Sequence, residues 1–220
     1  MKVIIFGATG MVGQGVLREC LLSSEVSSVL AVGRMATGQH DPKLRELVQK
    51  DLSNLSAVEA DLAGYDACFF CLGVSSAGMS EQNYTRITYD LTLSVARTLF
   101  TFNPNMTFVY VSGTGTDSSE KGRSMWARVK GRTENELLRL GFKRAYMFRP
   151  GYIQPLDGIK TKTRVYALLY AVLAPLYPVL KALAPNYVTT TRQIGRAMIQ
   201  VALQGTAKTY LENRDINALG

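Results

Sequence analysis

Three groups of residues in this chain could do chemistry. The first is GATGMVG, with Gly7, Gly10 and Gly13 standing directly between an apolar run, KVIIF, and a segment of helical period. The first glycine permits a tight turn and the second lets backbone approach a pyrophosphate. The third lets helix and strand pack closely, while the helix N-terminus offers unpaired N–H groups to an anion. The second group is Gly33-Arg34, at the end of the next apolar run. A dinucleotide site that selects NAD carries a carboxylate there, about twenty residues past the glycines, to hold the ribose 2′-OH. An arginine in its place can pair a 2′-phosphate at two points, which favours NADP over NAD; the alternative is an arginine that is merely solvated. The third group is SMWARVK, where Trp126 and Lys130 stand four apart and share one face of any helix formed there. That face serves either chemistry or packing, and the surrounding elements decide which.

Those elements follow from hydrophobic period. KVIIF reads as a strand, MVGQGVLRECLLSS as a helix and SSVLAV as a strand. A short strand near ELVQK, a helix near LSAVEADLA and a strand at DACFFCLG come next. Helical periodicity runs from Glu81 to Phe102, followed by a strand at MTFVYVSG, a helix over SMWARVKGRTENELLRLG and a strand at KRAYMFRPG. Strands that are apolar on both sides and alternate with helices predict a parallel sheet covered on both faces, a doubly wound Rossmann α/β fold. After Gly151 the pattern changes to a proline-broken apolar run, VYALLYAVLAPLYPVLKALAP, and a closing amphipathic helix in TTRQIGRAMIQVALQG. The expected division is a dinucleotide-binding domain at residues 1–155. Residues 156–220 form a small, mostly helical cap and closing elements packed on it.

Composition narrows the class. Hydrophobic residues make up 47% of 220 and charged residues 19%, enough apolar surface for a full core. Cys20, Cys68 and Cys71 form no paired framework and His40 is the single histidine, which points to a reducing cytoplasm and no metal site. MKVIIFGATG reads as a buried strand rather than a secretory leader. The net charge of +8 is regional, since Lys121 to Arg164 holds 12 Lys/Arg against 3 Asp/Glu. Nucleic acid is a poor candidate for the matching anion, because no recognition motif accompanies the charge. A phosphate-bearing small ligand or peripheral contact with an anionic membrane surface fits it better. The run at 165–184 is interrupted by Pro175, Pro178 and Lys181, so it reads as short helices roofing a cleft for an apolar small-molecule substrate, not as a transmembrane segment.

The ordered succession of GATGMVG, the strand-end GR, KDLS at 50–53, CLG at 71–73, YVSG ending at Gly113 and RPG at 149–151 resembles short-chain dehydrogenase/reductases. The likeness is greatest to the atypical branch similar to nucleoside-diphosphate-sugar epimerases and small NADP-binding oxidoreductases, and it covers roughly residues 1–155. It implies that Gly7, Thr9, Gly10, Met11, Val12 and Gly13 meet the pyrophosphate and Arg34 the adenosine phosphate. By the same likeness, Asp51 and Leu52 edge the adenine, Leu72 and Gly73 back the ribose, and Pro150, Gly151 and Ile153 border the nicotinamide.

In that family a tyrosine and a lysine four residues later share the SMWARVK helix. The lysine holds the nicotinamide ribose and lowers the tyrosine pKa, the tyrosine passes the proton, and a serine ending the preceding strand polarises the substrate oxygen. Ser112 and Lys130 match, but the tyrosine position is Trp126, whose indole N–H donates a hydrogen bond and has no accessible ionisation. Three readings follow. Trp126 is a pocket wall while another hydroxyl such as Tyr152 does the chemistry; or it marks a silent NADP-binding regulator with a protein partner; or it only packs. The expected catalytic set is therefore Ser112, Lys130 and Tyr152, in an NADP-dependent oxidoreductase acting on a carbonyl or alcohol.

Overall fold

The structure, a computed structural model, describes residues 1–159, 177 and 183–220. The segment expected to roof the cleft, 165–184, lies almost wholly outside the described residues. So do Lys160, Lys162 and Arg164.

Seven parallel strands form the central sheet: β1 (Lys2–Phe6), β2 (Ser28–Gly33), β3 (Leu44–Val48), β4 (Ala67–Phe70), β5 (Thr107–Val111), β6 (Arg144–Arg149) and β9 (Tyr210–Glu212). Their order is β3-β2-β1-β4-β5-β6-β9, the doubly wound Rossmann arrangement. Alternation along each strand sends side chains to two cores. Val3 and Ile5 of β1 pack under α1 (Met11–Leu22) and α5 (Thr191–Leu203), while Ile4 and Phe6 pack against α3 (Leu91–Phe102) and α4 (Met125–Arg139). Because both faces are covered, the interior strands β1, β2, β4 and β5 are apolar at nearly every position. In the second core the rings of Phe6, Phe70 and Phe108 stack at 5.7 and 6.0 Å, each burial stabilising by about 1.5–3 kcal/mol.

Helices α1 and α5 touch at two glycines. A Cβ on Gly15 would stand 2.6 Å from Thr191 Cβ, and one on Gly195 2.8 Å from Glu19 Cγ. The close approach is braced by Glu19, which is buried and accepts from Arg18 and Arg196 at 2.6 and 2.9 Å.

Several elements differ from expectation. LSAVEADLA forms a 3₁₀ segment, Ser56–Leu62, rather than an α-helix. The helical stretch from Glu81 is α2 (Glu81–Thr85), a wide π turn at Arg86–Asp90, then α3. Beyond Gly151 three short strands and a helix were not foreseen. β7 (Tyr152–Gln154) and β8 (Val188–Thr190) pair in parallel as a separate ribbon, β9 adds a seventh strand to the main sheet, and α6 (Asn213–Leu219) follows it. No helix among the described residues is long and apolar enough to cross a membrane.

Candidate functional site

The strand order reverses between β1 and β4, so the loops after these two strands open a crevice at their carboxyl ends. Gly7 has φ +83°, and a Cβ there would stand 2.8 Å from the Cys71 carbonyl carbon, so only glycine lets the two loops meet. At Gly13 a Cβ would stand 2.1 Å from the Gly7 carbonyl oxygen, which fixes how tightly α1 sits on β1. The N-cap of α1 is Gly10, no side chain caps it, and its first turn holds no acidic residue. The first-turn N–H groups have no intrahelical partner, as at any helix start, and the N-cap supplies no side-chain bond to them.

Beside this turn lies a cleft of about 310 Å³. Gly7, Thr9, Arg34, Leu52 and Leu72, five of the expected cofactor residues, line it together. Gly10, Met11, Val12 and Gly13 are the cap and first turn of α1, and Gly73 follows Leu72 on the loop after β4. Arg34 is exposed, and among the described residues it makes no ion pair. Asp51 is not in the cleft lining. Its carboxylate accepts from the Ser53 hydroxyl and N–H at 2.6 and 2.9 Å, and these bonds hold its pKa below the usual range. Met35 and Thr37 also line the cleft; their place just past Gly33-Arg34 was the signal that could have found them.

The second half of the site forms where β5 and β6 end. Ser112 N donates to Phe148 O at 2.8 Å and Thr114 N to Pro150 O at 2.9 Å, so the two chains stay paired past the sheet. Ser112 does not offer its hydroxyl to the cleft as expected. It is buried, with Oγ 2.5 Å from Glu134 Oε1 and 3.1 Å from the Phe148 carbonyl oxygen, both acceptors. The exposed hydroxyl on this loop is Thr114, which donates to the Arg149 carbonyl oxygen at 3.0 Å and was not singled out from sequence.

Lys130 donates its ammonium to the Ser112 carbonyl oxygen. Burial pushes its pKa down to about 8, with Glu134 acting in the opposite direction. Trp126 is half-buried and packs on Gly115. Tyr152 donates to Gln154 Oε1 at 2.8 Å, and burial raises its pKa above that of a free tyrosine. Gly151 donates its N–H to Asn213 Oδ1 at 2.9 Å, whereas the side chain of Ile153 is buried in the core with α5, leaving only its backbone for a ligand. In the described part of the basic stretch, Arg128 pairs with Glu81 at 2.7 Å and Arg149 with Glu134.

Residues 3–122, more than half of the chain, match the family model described as the NAD dependent epimerase/dehydratase family. The chain belongs to that family. Lys130, Arg149 and Tyr152 lie past the matched residues. Among epimerase/dehydratase relatives, Protein fmp52-2, mitochondrial, of Aspergillus terreus is 30% identical over 151 residues, 68% of this chain and 66% of that protein. The Aspergillus oryzae protein of the same name is 28% identical over 224 residues, 98% of this chain and 95% of its own. The fold is shared with the Bordetella bronchiseptica enzyme WbmF, solved in complex with NAD+ and UDP, at TM-score 0.70 and 16% identity, covering 99% of this chain and 75% of that one.

Proposed function

We propose that the chain is an NADP-dependent oxidoreductase of the atypical short-chain type, acting on a small, apolar carbonyl or alcohol. The observation that carries this reading is the uncapped first turn of α1 beside a cleft in which Arg34, among the described residues, makes no ion pair. The glycine cradle at Gly7 and Gly13 and the donor set fit a dinucleotide, the turn meeting the pyrophosphate and Arg34 the 2′-phosphate. When bound, NADPH supplies the hydride. Lys130 holds the nicotinamide ribose, and Pro150 and Gly151 border the ring. Thr114 takes the part assigned from sequence to Ser112, because its hydroxyl is exposed and can turn from Arg149 to a substrate oxygen. Tyr152 is the hydroxyl left to pass a proton, and it must first release Gln154.

A second reading has its own observation. Trp126 stands where the family carries its acid, and Ser112 is turned inward, which suits a silent NADP-binding regulator. Steady-state reduction of a panel of simple ketones and aldehydes by wild type, Thr114→Val and Tyr152→Phe separates the two. Brisk turnover lost in both variants supports the enzyme, whereas tight NADPH binding with no turnover on any compound removes it. The names of the fungal relatives carry "mitochondrial", at odds with the cytoplasmic location expected from sequence. Fractionation of cells making a tagged chain distinguishes these locations.

A further inference from the structure

Lys130 and Glu134 stand one turn apart on α4, and both end on Ser112: the ammonium on its carbonyl oxygen, the carboxylate 2.5 Å from its hydroxyl oxygen. Glu134 has no exposed surface. Arg149 grips it from the other side, with Nε 3.0 Å from Oε1 and a terminal nitrogen on Oε2. Arg149 is fixed in turn by the ring of Tyr210, 4.5 Å below its guanidinium, and by Glu212 at 3.6 Å. A buried ion pair adds little net stability over apolar groups of the same size, so this one calls for another reason. Neither Glu134 nor Arg149 has a part in the chemistry proposed above.

We propose that Glu134, locked by Arg149, is the positioning residue for the cofactor end of the site: it pins Ser112 so that the Ser112 carbonyl receives Lys130, and its charge keeps that ammonium protonated while out of water. The inference rests on Lys130 being the ribose ligand. Burial works against the charge on Lys130, and Glu134 is the neighbour that opposes it. Among the described residues, the other ionisable groups nearby do not replace it. Tyr110 of β5 is kept neutral by burial, with Tyr84 of α2 near it; Glu212 of β9 faces the far side of Arg149; and Asp117, in the loop packed on Gly131, is turned to Ser119 and the Gly122 N–H.

The test is the pH profile of NADPH affinity, read by fluorescence between pH 7 and 9.5, where the nucleotide phosphate is already ionised. Wild-type affinity should fall as pH rises through the Lys130 pKa near 8, as the cation is lost. Glu134→Gln should move that fall about one unit lower, and Glu134→Asp, which keeps the charge, should restore most of it. If Glu134→Gln does not fold, the double variant Glu134→Gln/Arg149→Gln removes the guanidinium that Glu134→Gln alone leaves without its main partner and carries the same expectation. Lys130→Met should weaken binding about tenfold and flatten the profile. An unchanged midpoint in folded Glu134→Gln or the double variant, with Lys130→Met weakened, overturns the role of Glu134 alone. Unchanged binding by Lys130→Met overturns the ribose-ligand reading beneath it.

Discussion

The indole of Trp126 lies against Gly115, with Cη2 3.6 Å from where a Cβ of Gly115 would stand. Trp126→Tyr removes one ring from this contact and introduces a phenol hydroxyl on the face that also carries Lys130. Turnover of a simple ketone should rise about 10²-fold if an acid is what the site lacks, with NADPH affinity unchanged. Stability should fall by about 1–2 kcal/mol for the lost contact. Stopped-flow reduction and thermal unfolding measure the two separately; lost stability without gain in rate would leave Trp126 as packing.

Arg34→Ala should cost NADPH binding roughly 1–3 kcal/mol while leaving NADH nearly unaffected, since only the former carries the 2′-phosphate. Paired calorimetric titrations decide this. Equal losses for both nucleotides would take Arg34 away from the phosphate.

Gly13→Ala and Gly131→Ala test two close approaches. Their Cβ atoms would stand 2.1 Å from the Gly7 oxygen and 1.8 Å from the Asp117 oxygen, so each should destabilise by roughly 1–3 kcal/mol or more. Only Gly13→Ala should also abolish dinucleotide binding, because it alone moves α1 off the loop after β1. Denaturant melts and titration of each folded variant give the comparison.

Burial pushes the Cys71 thiol up to about 12 and those of Cys20 and Cys68 well above their ordinary value. In the unfolded chain these thiols ionise near about 8.5, so above that pH the folded state holds more protons and their contribution to stability falls as pH rises. Labelling by a disulfide reagent at pH 8 should be slow for the folded protein and fast in denaturant. Rapid labelling of Cys20 or Cys68 without unfolding would contradict their burial.

The main sheet was legible because its strands are covered on both faces. The interiors of KVIIF, SVLAVG and ACFF had to be apolar, and GATGMVG had to supply glycine where backbone meets backbone. YIQ, VTT and YLE gave no signal, being three residues long and held by partners far off in sequence. The expected adenosine half of the candidate site came from short local motifs, and five of its residues share one cleft. The other half did not, because the direction of the Ser112 hydroxyl is set by Glu134, twenty-two residues on, and the fate of Arg149 by the same carboxylate. Charge counted along the chain likewise says nothing of which cations are already paired in space.

The Gly151 N–H is held by Asn213, sixty-two residues away in sequence, and β6 gains its outer neighbour only from β9. The two halves of the site therefore mature at different times. Everything that lines the Gly7–Leu72 cleft has been made once residue 72 is synthesised, while the loop after β6 must wait for the segment at 210–213 that pins it. A chain still emerging from the ribosome would carry the Gly7–Leu72 cleft before it has any means of fixing the loop after β6, so a protease should cut stalled intermediates near residues 150–152 and spare those around 7–13.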